Sequence, residues 1–243
     1  MFTKLKKLFF KTRDTSPEQA YDLWAKAYDS QPDNLMLALD ELVFAELLQQ
    51  TTAEKKLVVD IGCGTGRHWK KIYDRHPEKL IGYDVSEGML AMLAGKFPAS
   101  VTYKLSGNKL HELADHAVDL VISTLTIAHI KNADEALQEW NRILKPGGHV
   151  IITDYHPTAL QRGGKRTFKH DEKTISIVNH VHSIKELQAI AGQLHWQQLR
   201  LREKEIDDSV KPYYEKQHAL AAFEQFKGVP IIYGILFKKT DVT

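Results

Sequence analysis

VVDIGCGTG, Val58 to Gly66, is the stretch that decides the fold. Val58, Val59 and Ile61 are apolar around Asp60, and glycines follow at positions 62, 64 and 66. This reads as a buried strand, a glycine turn and then a helix, with no side chains at the glycines to keep a ligand away from the backbone N–H groups. A second apolar run ends in Asp84, about 20 residues further on, where a carboxylate can accept both hydroxyls of a ribose. The two features together predict an adenosine-binding site.

The glycines fall as G-x-G-x-G, whereas a dinucleotide fingerprint requires G-x-G-x-x-G ahead of a full helix N-terminus that faces a pyrophosphate. The motif strand also begins near residue 57, well inside the chain. A dinucleotide is therefore the less suitable ligand.

Four further segments accompany the motif: YDLWAKAYD at Tyr21 to Asp29, LIGYDVSEGML at Leu80 to Leu90, VDLVISTLTIAHI at Val118 to Ile130, and EWNRILKPGGHVIITD at Glu139 to Asp154. In this order the chain resembles the class I S-adenosylmethionine-dependent methyltransferases, in particular the branch that holds quinone-biosynthesis C-methyltransferases and many small-molecule O- and N-methyltransferases. The resemblance covers residues 21 to 154; beyond about residue 158 it identifies only a substrate-facing insertion. It implies S-adenosylmethionine as cofactor, S-adenosylhomocysteine as product and a small-molecule acceptor.

Site roles follow from the matching positions. Gly62, Gly64 and Gly66 let the loop approach the methionine part of the cofactor, and Asp60 faces its ammonium directly or through water, or else acts as a turn residue. Asp84 takes the ribose, with Val85 and Met89 beside it, and Asn108 stands where the family usually has an acid facing the adenine amino group. Tyr28 resembles the tyrosine that lies over the cofactor carboxylate. Tyr21 and Trp24 close the lid beside it, or simply pack a core. Ser123 and Thr124 end the fourth strand, where backbone faces the cofactor. On the acceptor side His129, His156 and Tyr155 are the catalytic candidates. A histidine base would favour O-methylation, although His129 could equally orient a loop through its ring nitrogens. His180 and His182 would share one face of an extended segment, but two ligands do not make a metal site, and none is expected.

The fold implied is α/β, a doubly wound, mostly parallel seven-stranded sheet with an N-terminal helical lid and an antiparallel C-terminal strand inserted between its neighbours. Strands are expected at 57–61, 79–84, 101–105, 118–123 and 148–154, with helices near 66–75, 86–96 and 133–144. The organisation expected is a basic leader over 1–15 and one domain over 16–243. That domain comprises a lid (16–53), a cofactor core (54–154), an insertion (155–195) and a last segment of strands and a helix near 212–227 (196–243). Ser16-Pro17-Glu18 starts the first lid helix. The second, Asn34 to Gln50, should bury Leu35, Leu39, Leu42 and Val43.

The 243 residues suffice for one α/β domain with a large core. A net charge of +2 offers no broad basic field, so nucleic acid is not an expected partner. The single cysteine, Cys63, excludes an internal disulfide framework and suits the reducing cytoplasm. In MFTKLKKLFFKTR, Phe2, Leu5, Leu8 and Phe9 line one side of a helix and Lys4, Lys6, Lys7, Lys11 and Arg13 the other. Residues 1–13 thus read as a helix against the folded body or, if the substrate is lipid-soluble, as a peripheral membrane contact. The acceptor and the oligomeric state are not legible. A cofactor-binding partner subunit without catalysis remains the alternative of another class.

Overall fold

The computed structural model describes residues 14–31, 33–164, 166–171 and 173–240; residues 1–13 of the expected leader lie outside them. Strand β1 (Asp14–Thr15) leads into α1 (Pro17–Tyr28), whose first turn is capped by the Ser16 hydroxyl accepting from Gln19 N and by proline at the first position. Helix α2 (Leu35–Leu48) starts at Asn34, whose side-chain oxygen accepts from the N–H groups of Met36 and Leu37.

The alternating unit follows as β2 (Leu57–Ile61), α3 (Trp69–Tyr73), β3 (Lys79–Asp84), α4 (Glu87–Lys96), β4 (Val101–Lys104), β5 (Val118–Thr124), α5 (Ala133–Ile143) and β6 (Leu144–Tyr155). Beyond it come α6 (Pro157–Gln161), the hairpin β7 (Thr167–His170) and β8 (Lys173–Ile177), α7 (Ile184–Gln193), β9 (Trp196–Glu205), α8 (Lys211–Lys216), α9 (Leu220–Phe226) and β10 (Pro230–Lys239).

Seven strands form one sheet in the order β4-β3-β2-β5-β6-β10-β9. The pairs from β4 to β6 are parallel, whereas β10 lies antiparallel between β6 and β9. This is the expected doubly wound sheet with its inserted antiparallel strand. Both faces are covered, so the central strands are apolar throughout: Val58 and Val59 of β2 and Val121 and Ile122 of β5 are completely buried. In such a sheet the loops at the carboxyl ends of the strands form the ligand crevice.

The lid and the insertion meet over that edge. β1 pairs parallel with β8, which pairs with β7 in a separate three-stranded sheet. Trp24 of α1 stacks on Phe168 of β7 with centroids 4.6 Å apart. Asp22 fastens α1 to the start of α4 by accepting from Ser86 Oγ at 2.6 Å and Gly88 N at 2.9 Å.

Several local expectations change. Leu39 and Val43 are buried as expected, but Leu42 is 61% exposed, and the buried face of α2 is completed by Met36, Asp40, Phe44, Leu47 and Leu48. Periodicity assigned Leu42 to the core because it took leucine as the marker, whereas the buried face carries a carboxylate. The expected helix at 212–227 is broken between α8 and α9, where His218 has a φ of +52° that no helix accommodates. The helix after the glycine turn is also shorter than expected, starting only at Trp69.

Asp40 is tolerated at zero exposure because donors surround it: the Arg67 guanidinium, His68 Nε2 at 2.9 Å and the Thr153 hydroxyl. Its carboxylate thereby ties α2 to the segment after the glycine turn and to β6. Although burial opposes ionisation, Arg67 and these hydrogen bonds hold its pKa well below the usual carboxylate range. Asp40→Ala removes the buried acceptor of His68 Nε2 and of Arg67 Nη2, leaving them only the half-buried Glu41 and, for Arg67, the Leu37 carbonyl. The variant should lose about 3 to 5 kcal/mol of stability in urea unfolding. A loss below about 1 kcal/mol would show that the network contributes little to folding.

Candidate active site

A cavity of about 1170 Å³ opens at the carboxyl edge of the sheet. One wall comes from the glycine turn and β3: Ile61, Gly62, Gly64, Asp84, Val85 and Met89. The loop after β4 adds Leu105, Ser106, Gly107 and Asn108. The opposite wall comes from α1 and the turn after β5, with Tyr21, Tyr28, Leu125, Thr126 and His129.

The turn after β2 departs from the sheet because three glycines take left-handed conformations, with φ of +74°, +53° and +71° at Gly62, Gly64 and Gly66. A Cβ on Gly62 would lie 2.1 Å from the Thr126 hydroxyl, so glycine is needed there for the turn to reach the loop after β5. At Gly64 nothing lies within 4 Å of the place a Cβ would take, and that free space belongs to the cavity. The loop's N–H groups, however, are used within the protein. Gly62 N and Cys63 N both donate to the Tyr83 carbonyl, Gly66 N to that of Cys63, and Gly64 N to Asp84 Oδ2 at 2.8 Å. The glycines thus supply path and room, not a cradle of free donors as the sequence suggests.

Asp84 also accepts from Ser86 N through Oδ1 at 2.9 Å. A carboxylate has about four acceptor positions, so the Asp84 carboxylate keeps capacity for a ligand. Burial pushes its pKa up to about 6 even though both backbone bonds favour the anion. Asp60 does not line the cavity. Its Oδ2 accepts from Trp69 Nε1 at 2.8 Å, its Oδ1 is buried without a protein partner, and burial raises its pKa to about 6. An orphaned carboxylate oxygen beneath the glycine turn fits a nearby cationic donor or a water leading to one. Asn108 lies on the wall with its Nδ2 donating to Glu135 at 3.3 Å, which leaves its carbonyl oxygen as acceptor. The Asp84 carboxylate, the free space at Gly64, the Asn108 amide and Asp60 form a donor and acceptor set that fits S-adenosylmethionine.

On the acceptor side, His129 ends a 3-10 turn, Ile127–His129. Its Nδ1 meets the Val178 carbonyl at 3.0 Å, and a carbonyl can only accept, so Nδ1 carries the hydrogen and Nε2 the lone pair. Nε2 is met by Arg166 Nη1 at 2.6 Å and the Tyr21 hydroxyl at 2.9 Å. Burial, and then the Arg166 charge, hold the His129 pKa well below its ordinary value. Arg166, from the insertion, is itself buried. It donates to the Leu125 carbonyl at 2.6 Å, pairs with Asp154 and lies 4.3 Å over the Tyr155 ring.

Of the residues expected in the site, Tyr21, Tyr28, Gly62, Gly64, Asp84, Val85, Met89, Asn108 and His129 line one cavity. The others are placed differently. Gly66 shapes the turn from behind, and Ser123 is fully buried, with Thr124 to Thr126 lining in its stead. Tyr155 is packed beneath Arg166. His156 caps α6, its Nδ1 accepting from Thr158 N, and its Nε2 bonds Glu203 at 2.8 Å. Neither Tyr155 nor His156 lines the cavity, because β6 continues through Tyr155 and carries both past the crevice. His182 bonds the Ile130 carbonyl, and the His180 backbone N–H bonds that of Ala128. The sequence gives no sign of Arg166 or of Leu125, a non-glycine residue at φ +53°. Only the unusual turn after β5 could have drawn attention to Leu125.

A methyltransferase domain is matched over residues 59–152. The malonyl-[acyl-carrier protein] O-methyltransferase of Marinomonas sp. is 26% identical over 191 residues, covering 77% of this chain and 67% of that protein. The demethylmenaquinone methyltransferase of Bacteroides fragilis is 27% identical over 144 residues, covering 56% and 59%. The chain spans about half to two thirds of the length of the first curated relatives it matches. In fold it is similar to an S-adenosylmethionine-dependent methyltransferase of Mesorhizobium loti, with a TM-score of 0.62 at 17% identity over 80% of this chain and 96% of that one. The sheet order, the glycine turn, the acidic end of β3 and the domain match agree: residues 59–152 carry a methyltransferase domain, and the chain is similar in fold to the S-adenosylmethionine-dependent methyltransferases.

Proposed function

We propose that the protein transfers the methyl group of S-adenosylmethionine to an oxygen of a small-molecule acceptor. The observation that carries this reading is the shared cavity: the glycine turn and Asp84 on one wall, Tyr21, Leu125 and His129 on the other, in about 1170 Å³. Single-ligand pockets commonly hold about 300 to 1,000 Å³, so there is room for cofactor and acceptor together.

The cofactor supplies an activated methyl group on a cationic sulfur. The chain's part is to hold two reactants in line and dry, which contributes up to about 7 to 11 kcal/mol to lowering the barrier. Asp84 takes the ribose hydroxyls, Asn108 faces the base, and Asp60 balances the ammonium end from beneath the turn. Tyr21 and Tyr28 close the cavity from α1. Oxygen as acceptor atom is supported by the likeness to the Marinomonas O-methyltransferase.

The second reading is C-methylation of a lipid-soluble quinone. It is favoured by the engagement of both His129 nitrogens and by the B. fragilis relative, and it would suit the basic segment 1–13 as a membrane contact. Incubation with labelled S-adenosylmethionine and a metabolite extract should move label into a small product. If S-adenosylhomocysteine binds but nothing is labelled, the chain is a cofactor-binding partner subunit and the proposal falls.

Asp84→Ala should weaken S-adenosylhomocysteine binding by about 1 to 3 kcal/mol in calorimetry, since a charged acceptor is lost in a buried site. Unchanged affinity would remove Asp84 from the cofactor wall. The wild-type protein should also bind pH-dependently. The Asp84 pKa of about 6 is above the unfolded value of about 3.9, so the free protein takes up a proton below pH 6, while donated ribose hydroxyls favour the anion. Affinity is therefore full above that pH and falls as the pH drops through it. The Asp84→Asn variant should flatten this profile.

A further inference from the structure

Resting on the assignment of the cofactor wall above, we propose that Asp22 and Asp29 are positioning residues for the cofactor. Together they dock the lid helix α1 on α4 and on the glycine turn, which sets Tyr21 and Tyr28 across the cavity from Asp84 and, through Ser86, holds the Asp84 carboxylate in its orientation.

The pattern is present in the chain itself, where YDLWAKAYD repeats Tyr-Asp at Tyr21-Asp22 and again at Tyr28-Asp29. That interval is almost two turns of α-helix, so the tyrosines lie in one row and the aspartates in another, about 100° round the axis. The structure gives the two rows different tasks. Tyr21 and Tyr28 line the cavity, while Asp22 and Asp29 grip the elements that carry the cofactor wall.

Asp22 Oδ1 accepts from Ser86 Oγ at 2.6 Å and from Gly88 N at 2.9 Å. Ser86 in turn gives its N–H to Asp84 Oδ1 at 2.9 Å, and the other Asp84 oxygen takes Gly64 N at 2.8 Å. Lid helix, start of α4, Asp84 and glycine turn are thus joined by one run of hydrogen bonds. Two turns further along α1, Asp29 Oδ1 accepts from the hydroxyl of Thr65, a buried residue of the glycine turn, at 2.7 Å. Its Oδ2 accepts at 2.8 Å from Lys96 Nζ, on the last residue of α4.

Helix capping does not account for this arrangement. Ser86 Oγ already caps α4 by accepting from Met89 N at 3.1 Å, so the bonds from Asp22 come in addition and from another helix. Glycine is unfavourable inside a helix, yet Gly88 stands in the first turn of α4. A Cβ there would lie 3.1 Å from Ala25 Cβ and 3.3 Å from the Asp22 backbone, so the missing side chain serves the close approach of α1. Nor does α1 depend on its two acids to fold. Ser16 caps its start, and Ala20 and Trp24 pack with Phe168 and Ile177. Asp22 is exposed and the Asp29–Lys96 pair only partly buried, and such contacts add little to stability. Their contribution is placement: short hydroxyl-to-carboxylate bonds are directional, and a site whose walls are already set spares the ligand the cost of ordering them.

The test measures S-adenosylhomocysteine binding to the full chain by calorimetry, together with the thermal midpoint of each variant. Asp22→Ala and Asp29→Ala should each raise Kd about five- to thirtyfold, as for one lost hydrogen bond, while the midpoint stays within about 4 °C of the wild type. Asp22→Asn, which keeps an acceptor oxygen for Ser86 and Gly88, should recover most of the affinity. Combined with Asp84→Ala, Asp22→Ala should weaken binding less than it does alone, because part of its effect runs through Asp84. Unchanged affinity in either Asp22→Ala or Asp29→Ala, with Asp84→Ala binding weakly, would overturn the proposal and leave the cofactor wall standing. Unchanged affinity in Asp84→Ala as well would overturn both. A loss that only follows a falling midpoint, an Asp22→Asn variant no better than Asp22→Ala, or full additivity with Asp84→Ala would show Asp22 to be merely structural and overturn its positioning role.

Discussion

The pairing of Arg166 with Asp154 is the contact on which the acceptor half of the molecule depends. Both side chains are buried, and an ion pair in such a place survives only if its remaining donors and acceptors are also met. Backbone meets most of them: Asp154 receives the Ala128 and Tyr155 N–H groups, and Arg166 gives to the Leu125 carbonyl, while Arg166 Nε is buried without a protein partner. The end of β6, the turn after β5 and the start of the β7–β8 hairpin are therefore fixed as one unit. Tyr21 reaches that unit through His129, and Trp24 reaches it through Phe168, so the lid helix closes on a wall already set.

The cofactor half is organised by a different constraint. There the backbone must leave a buried strand sharply, with three glycines in left-handed conformations, and pass close to the loop after β5. Asp84 reads that path directly, since its carboxylate takes the Gly64 N–H and so ties the end of β3 to the turn. A hydrogen bond that organises the empty turn also raises the demand for the ionised form, against a burial that resists it. Asp40 performs a comparable task one layer further back, where Arg67 and His68, immediately after the turn, are held to α2.

Most of the cofactor wall was legible in the chain. Gly62, Gly64, Asp84, Val85 and Met89 lie within a few residues of strand ends, and the ends of parallel strands meet at one edge by topology alone. The acceptor wall was less so. His156 and Tyr155 were placed in the site because they follow a strand, yet β6 continues two residues past Thr153 and His156 becomes a helix cap. Leu42 was placed in the core by a pattern that could not foresee a buried Asp40.

The sequence by itself determined the parallel sheet, the glycine turn and the acid at the end of β3, because strand periodicity, glycine conformation and short spacing are local properties. Only the tertiary structure decided that Arg166 lies against His129, a contact across 37 residues that passes through the insertion. No local rule predicts which buried cation will meet which imidazole. That depends on where the hairpin folds back over the sheet edge, and it is this packing that brings Arg166 Nη1 to His129 Nε2.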